Sequence, residues 1–303
     1  HRGVERLFLQ GPPLAHKIHL AESIAGDSVV AHATACANAL ESLASVSLSQ
    51  RAMAIRAIAL ELERIAAHIG DLGAIGNDTA YLLGNAVFGA TRTLVINTLL
   101  SICGSRFGRG LICAGGTRFD IDEGLRGHIE KILEKVEKDA KLAAETMFSS
   151  ESVLSRLEQT GGVTKEDALK MGMAGMAARA CGIPVDIRAD HPFGVYCNFP
   201  VYALTLSSGD VFARSYLRFL EIKQSIRFIR EQLRHFPKAS DLVRKTESLA
   251  GESMVVSLVE GWRGEIAHAI LTDQDGKIAR YKIKDPSFQN WFGLALAVRN
   301  NGI

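Results

Sequence analysis

Histidines and carboxylates at helical spacing are the first places in this chain where chemistry could reside. His16, His19 and Glu22 stand three apart and share one helical face, a spacing open either to a metal ion or to a polar interface. Pro12-Pro13 just upstream makes His16 an early-helix residue. Arg64, His68 and Asp71 line a second face, readable as a hydrogen-bonded surface or as a proton relay. The five cysteines, Cys36, Cys103, Cys113, Cys181 and Cys197, are an odd number with no Cys-x-x-Cys pair. They read as free, mostly buried thiols of a reducing compartment, with Cys36 a packing residue on a helix of small side chains, and they make no recognisable zinc or iron–sulfur ligand set. A Gly-x-Gly-x-x-Gly after a strand, a phosphate-binding loop and a Gly-x-Ser-x-Gly elbow are all missing.

The elements that must position these residues are mainly helices. Leu48–Gly70 carries apolar residues at helical intervals with Glu61, Arg64, His68 and Asp71 on another stripe, and Gly70 and Gly73 read as its stop. Thr79–Cys103 is apolar almost all round, which predicts a helix in the middle of a bundle. Asp122–Ser149 is a long charged amphipathic helix opened by acidic residues that suit its positive end, and Ser207–Asp210 caps a helix running to Phe236, stopped by Pro237. Near residue 252 the period changes to alternation: VVSLVEGWRG, EIAHAILTD and KIARYKIKD, separated by Gly264 and Asp275-Gly276, predict a three-stranded antiparallel meander. A last helix runs through Trp291 to Asn301. The expectation is one domain over 1–303, a helical bundle in 1–250 with a small sheet and final helix in 251–303.

Composition bounds the function. The 303 residues are 47% hydrophobic and 22% charged, a globular balance that excludes disorder, and 35 basic against 33 acidic side chains leave no field for nucleic acid. The longest uncharged apolar stretches, such as Thr93–Cys103, are shorter than the roughly 20 residues that span a bilayer. The chain opens His1-Arg2-Gly3 with neither an initiator Met nor a secretory signal, and reads as a fragment.

Seven segments in order resemble one family. His1–Glu5 (HRGVE), Glu61–His68 (ELERIAAH) followed by Gly70–Gly73, and Ala114–Gly116 are similar to segments of the D subunit of bacterial respiratory complex I. They are equally similar to segments of the large subunits of membrane-bound, energy-converting nickel–iron hydrogenases. Gly182–Arg188 through Pro192 resembles GxxxDxRxxxP, and Gly209–Arg214 with Gln224-Ser225 resembles GDVxAR…QS. Val259–Glu265 and Tyr281–Trp291 resemble the C-terminal sheet of the hydrogenase branch that includes formate hydrogenlyase. The resemblance implies a mainly α fold, the helical bundle of the nickel–iron hydrogenase large-subunit type with its small antiparallel β-meander.

The departures define the implied site. Where the hydrogenases have a Cys-Gly-x-Cys, this chain reads Glu22-Ser-Ile-Ala25-Gly26-Asp27-Ser28, then Ala31-His32, with Ala25 and Ser28 in place of the thiols. A second cysteine pair would lie beyond Ile303. Soft thiolates hold nickel and low-spin iron; a methyl group and a neutral hydroxyl do not. Complex I D subunits have lost the same thiols and use the emptied cavity to reduce quinone beside the last iron–sulfur cluster of the B subunit. Their β-hairpin with a quinone-facing His would precede His1, and their Tyr near the former thiols has no counterpart here.

The resemblance therefore implies a nickel-free subunit that binds no cofactor of its own, with a quinone possible in its vestigial cavity and an iron–sulfur cluster in the partner. The implied partners are a small iron–sulfur B-like subunit, a complex I C-like subunit and membrane subunits, with no nucleic acid. The implied place is peripheral, on the cytoplasmic side of the inner membrane. Asp27, Ser28, His32, Glu22 and Glu5 are the expected catalytic lining. Asp186 and Arg188 would line it further, and Arg64 and His68 would face the partner's cluster and tune its potential. The alternative is a non-catalytic scaffold or coupling subunit. Elemental analysis of the purified chain is expected to find neither nickel nor iron in stoichiometric amount; about one nickel per chain would contradict the reading of Ala25 and Ser28.

Overall fold

A computed structural model of the protein describes residues 3–9, 14–246, 248–299 and 301. His1, Arg2 and Pro12-Pro13 lie outside them. Three helices open the chain: α1 (Val4–Leu9), α2 (Leu14–Ala21) and α3 (Val29–Leu43). The axis of the bundle is α4 (Gln50–Asp78), started by Ser49, whose hydroxyl accepts the Ala52 N–H.

The expected stop at Gly70 and Gly73 does not occur, because α4 continues to Asp78. Gly70, Gly73 and Gly76 form a stripe against α5 (Leu82–Cys103). A methyl group on Gly73 would come within 3.3 Å of Phe88 Cβ, and one on Gly76 within 3.3 Å of the Asn85 nitrogen and the Tyr81 carbonyl oxygen. Each glycine costs a helix about 1 kcal/mol relative to alanine, and here the close approach of α5 offsets it. The end of α4 comes later, where Tyr81 N–H donates to Gly76 O at 2.7 Å and Ala80 N–H to Asn77 O at 3.0 Å, with Ala80 left-handed.

The position expected for α5 is also corrected. It packs on α4 and on α6 (Glu123–Phe148) through Phe88, Val95, Ile96, Leu99 and Ile102, while Leu82, Leu83 and Leu100 are exposed. Its apolar character is thus spread over a packed face and a solvent face. Against the expectation that no stretch was long enough, α5 is one helix of sufficient length and apolarity to cross a membrane. Of its most apolar window 44% is buried against the bundle.

A short ribbon, β1 (Ile112–Cys113) against β2 (Gly116–Thr117), joins α5 to α6. The acidic cap expected for α6 is Asp122, which accepts the Leu125 N–H at 2.7 Å. After α6 the chain makes only short pieces: α7 (Glu151–Leu157), α8 (Lys165–Lys170), α9 (Gly175–Arg179), α10 (Ile187–Asp190) and a 3-10 turn at Gly194–Cys197. Helix α11 (Val211–Arg234) follows, capped by Asp210, which accepts from Ala213 N–H at 2.8 Å, and it lies along α4.

The meander forms as expected: β3 (Met254–Gly261), β4 (Gly264–Thr272) and β5 (Ile278–Lys284) pair antiparallel with β4 central. Its inner face lies on α3, so Val259, Ile266, Ile270 and Tyr281 join the same hydrophobic core as α3, α4, α5 and α11. The final helix, α12 (Ser287–Ala297), ends four residues short of Asn301.

Two glycines let the β3–β4 hairpin tip seat on α9. Gly175 has φ +60°, and a Cβ there would lie 2.2 Å from the Arg263 carbonyl oxygen; Gly264 has φ +132° and meets the Gly175 nitrogen. Gly175→Ala combines backbone strain with a clash, so it is expected to destabilise the protein by roughly 2 kcal/mol or more. Thermal unfolding measures this directly; an unchanged midpoint would mean that the hairpin does not bear on α9.

Candidate functional site

Glu61 lies at the centre of a polar core inside the bundle. Its carboxylate accepts from Arg64 Nε at 3.2 Å, Arg188 Nη1 at 3.0 Å, the Tyr196 hydroxyl at 2.6 Å and the Ser225 hydroxyl at 2.5 Å. Arg188 turns its other edge to Asp186, with Nη2 to Oδ2 at 2.7 Å. Arg179 pairs with Glu221 at 2.7 Å and with Glu260 at 2.8 Å, and Glu221 also takes His68 Nε2 at 2.9 Å. Arg64 gives its remaining donors to the carbonyl oxygens of Glu260 and Gly261. All these charged side chains are buried.

This cluster contains three guanidinium groups, from Arg64, Arg179 and Arg188, against four carboxyls, from Glu61, Asp186, Glu221 and Glu260. Burial works against every carboxylate, but the arginines prevail at three of them: Glu221 is held well below the ordinary range, Glu61 is lowered and Asp186 falls to about 2. At the fourth, burial and the nearby Asp186 charge push Glu260 up to about 7. Protonating that one group balances the cluster. Burial lowers His68 despite its Glu221 partner, so the ring is neutral, and its Nδ1 has no hydrogen-bond partner among the described residues.

A wall away from this core lies an open cleft of about 600 Å³. The Ala25–Asp27 loop forms one lip and α12, with Asn290, Trp291 and Leu294, forms the other; Asp71, Arg214, Arg218 and Met176 line the rest. The hairpin tip stands between cleft and core. Trp262 donates its indole N–H to Asp27 O at 2.9 Å and sets its edge against His68, 6.0 Å between ring centroids. Arg263 lies 3.9 Å over the Trp262 ring and grips Asp27 with both nitrogens, at 2.8 and 2.6 Å. Asp71 pairs with Arg218 at 2.9 Å.

The sequence-expected residues do not converge on one cavity. Asp27 and Ala25 line the cleft, and the Asp27 side chain is half exposed. Ser28 is buried at the start of α3 without capping it; the Glu63 carboxylate takes the Val30 and Ala31 N–H groups instead. Glu22 accepts the Gly110 N–H at 2.7 Å, and Glu5 accepts from Lys282 and the Ile283 N–H. His32 lies inside the protein between His268 and Asp285, each at 3.0 Å. Asp186 and Arg188 belong to the Glu61 core, so they line no cleft with Asp27. Arg64 and His68 face that core as well and are fully buried, and Asp71 leaves their face for Arg218.

His19 contacts Glu22 at 3.2 Å while His16 is exposed. Among the described residues no group of three or more His, Cys, Asp or Glu side chains could hold a metal ion. The cleft offers two carboxylates, three arginines and the Met176 thioether, a donor set that does not fit a nickel–iron centre.

Several residues of the site carried no expected role. Glu61, Glu260, Trp262, Arg263 and Asp285 lie in the quoted motifs, so their places were marked but not their partners. Glu221 and Arg179 lie in no motif. Their only signal is a charge on an inward face, Glu221 falling in register with Leu217, Ser225 and Phe228 on α11. His268 occupies an inward position of β4 between Ile266 and Ile270, a polar residue in a core stripe that demands a partner.

The architecture is that of a hydrogenase-type large subunit. It aligns with the structure of the membrane-bound sulfane sulfur reductase, described as an archaeal respiratory membrane complex, at a TM-score of 0.88 and 21% identity over 99% of this chain and 87% of that one. The family model of the respiratory-chain NADH dehydrogenase 49 kDa subunit matches residues 75–253, more than half of the chain. The membrane-bound hydrogenase alpha subunit of Pyrococcus furiosus is 30% identical over 94% of this chain and 70% of its own length. The D subunit of the NADH-quinone oxidoreductase of Dehalococcoides mccartyi is 28% identical over 97% of this chain and 80% of its own length. The chain belongs to the 49 kDa-subunit family of respiratory-chain NADH dehydrogenase.

The odd carboxyl yields a pH signature. Unfolded, Glu260 releases its proton near the ordinary 4.5; folded, it keeps it to about 7. The unfolded state therefore binds fewer protons in that window, and Glu260 costs stability as pH rises through it. The melting temperature of Glu260→Gln is expected to fall less between about pH 5 and 7 than that of the parent protein. Parallel curves would show that Glu260 is ionised throughout.

Proposed function

We propose that this chain is the peripheral-arm large subunit of a complex I-like or membrane-bound-hydrogenase-like respiratory oxidoreductase. It takes electrons from a partner iron–sulfur subunit and directs them to a quinone or another acceptor in the nickel-free cleft. The subunit sits on the cytoplasmic side of the inner membrane, beside B-like and C-like partners and membrane subunits, and is inactive alone.

The observation that carries this reading is the cleft beside Ala25, where the resemblance puts the first hydrogenase-type thiol; Ser28, at the second, is buried behind it at the start of α3. The apolar walls of the cleft, Trp262, Trp291, Met176 and Leu294, suit a planar ring, and Arg214 and Arg218 set positive charge beside ring oxygens. Its rim supports a protein partner: Phe288, Trp291, Phe292 and Leu294 of α12 are all at least half exposed, an apolar edge of the kind that interfaces cover. One observation favours the scaffold or coupling alternative. Asp27 is clamped by Arg263, and Trp262 separates the cleft from the neutral His68, so the charge core has no open route to the cleft.

Asp27→Ala in the assembled complex decides between them. It removes one exposed ion pair, worth about 1 kcal/mol or less, so folding and partner binding should persist. Turnover with a water-soluble quinone is expected to fall by roughly tenfold or more. Unchanged quinone turnover with lost ion coupling would support the scaffold reading instead.

A further inference from the structure

Behind the first turn of α3 runs a line of buried groups that neither the cleft nor the Glu61 core uses. Asp285 Oδ2 meets His32 Nε2 at 3.0 Å, His32 Nδ1 meets His268 Nε2 at 3.0 Å, and His268 Nδ1 meets the Tyr281 hydroxyl at 2.7 Å. The Cys36 thiol lies against that hydroxyl at the far end. Both histidines are fully buried, and Tyr281, Asp285 and Cys36 are buried too. At the near end Asp285 Oδ1 takes the N–H of Ser287, a residue of the cleft wall.

Hydrogen-bond accounting fixes the protons. Burial opposes the Asp285 charge, but the bonds from His32 and Ser287 hold its carboxyl at about 2, so it only accepts and His32 Nε2 carries hydrogen. Burial and the adjacent His32 keep His268 well below the ordinary range, so it is neutral with one N–H. Burial raises both Tyr281 and Cys36, which keep their protons.

Two arrangements then satisfy every ring nitrogen. With His32 neutral, His268 Nε2–H donates to His32 Nδ1, and Tyr281 O–H donates to His268 Nδ1. With His32 doubly protonated, His32 Nδ1–H donates to His268 Nε2, His268 Nδ1–H donates to the Tyr281 oxygen, and the Tyr281 proton turns toward Cys36. One added proton reverses every hydrogen bond beyond His32.

We propose that Tyr281, His268 and His32 form a buried relay that stores a single proton on His32 beside Asp285, available to the cleft. Loading from the Tyr281 end takes one proton from a solvent hydronium ion, which is left as water: an O–H bond forms on the Cys36 side of Tyr281 while the former Tyr281 O–H becomes His268 Nδ1–H and His268 Nε2–H becomes His32 Nδ1–H. No electrons move. Release breaks His32 Nε2–H; Asp285 takes the proton only in passing, and the O–H it forms breaks as the acceptor's new bond to hydrogen forms, restoring the carboxylate. The other charged groups around the line are Lys17 of α2 and Glu41 of α3 near Cys36, Glu5 of α1 against the Ile283 N–H, and Glu63 of α4 under the first turn of α3. Delivery to an acceptor in the cleft rests on the function proposed above; the relay itself does not.

The full chain labelled with 15N-histidine tests the relay without turnover. As the line takes up its proton on acidification, the His268 proton is expected to move from Nε2 to Nδ1, a tautomer switch that a line of fixed hydrogen bonds would not make. Tyr281→Phe keeps the ring stacked on Phe8 (3.9 Å between centroids) and removes only the hydroxyl that accepts the His268 Nδ1–H of the loaded arrangement, so the switch should move to lower pH in a folded protein. A His268 tautomer that stays fixed over the whole pH range in which the protein is folded overturns the relay. In the assembled complex Tyr281→Phe should slow acceptor reduction roughly tenfold or more. A normal rate alongside an intact wild-type switch overturns delivery to the cleft, whereas a complex that reduces no acceptor at all, with the switch intact, overturns only the function proposed above.

Discussion

A charge withdrawn from water must meet its opposite at close range, and in this protein that requirement falls on Glu61. Four donors from three other segments and its own helix close on one carboxylate. Breaking such a buried pair costs roughly 3–5 kcal/mol, so the segments that supply donors have little freedom in where they lie. Helix α4 supplies Glu61 and Arg64, α10 supplies Arg188, α11 supplies Ser225, and the turn after residue 193 supplies Tyr196. Glu221 and Glu260 extend the same lattice to α9 and β3. The short pieces between α6 and α11 bury a small apolar cluster of their own, with Val163, Ala168, Met173, Ala178 and Ile183, and the lattice ties α9 and α10 to the long helices and the sheet. The cleft inherits its rigidity from there: Arg64 grips the carbonyls of Glu260 and Gly261, immediately before the Trp262–Arg263 tip that forms the cleft wall.

Much of this was legible in the residues. Period-2 alternation placed all three strands of the meander, acidic caps placed the starts of α6 and α11, and the ordered motifs pointed to the family. The errors share a cause, which is that a single sequence does not display its neighbours. Gly70 and Gly73 read as a terminator because glycine ends helices; only the presence of α5 against them turns the same residues into a packing groove. The apolar α5 read as central because hydropathy does not say how much of a face is covered. The site residues were misassembled for a similar reason. Glu5, Glu22 and His32 are near Asp27 in sequence or in motif order, but each is claimed by a different partner: Ile283, Gly110 and His268. Partners separated by more than 200 residues, such as Asp27 with Arg263, leave no trace in local spacing.

The two polar assemblies differ in kind. The Glu61 core is dense in guanidinium and carboxylate, and its arginines keep their charges at any pH a protein meets, so it can exchange little more than the Glu260 proton. The Asp285–Tyr281 line contains groups that both give and take hydrogen, with a single fixed charge at one end. The first holds parts in place and the second can change state without moving them. That division leaves the cleft with a stiff wall on the α9 and α11 side and an adaptable one behind α3.

His268 has a consequence for how the sheet is assembled. It points inward from the middle strand, where side chains alternate strictly between core and solvent. If β4 slid one residue along either neighbour or docked one residue out of step on α3, the imidazole would leave both His32 and Tyr281, and an aliphatic chain would be offered to two orphaned polar groups. A wholly apolar inner face would tolerate such a slip with no more than imperfect packing. A single histidine in that stripe makes the error strongly unfavourable while the chain is still folding, so it proofreads strand alignment as the meander closes over α3.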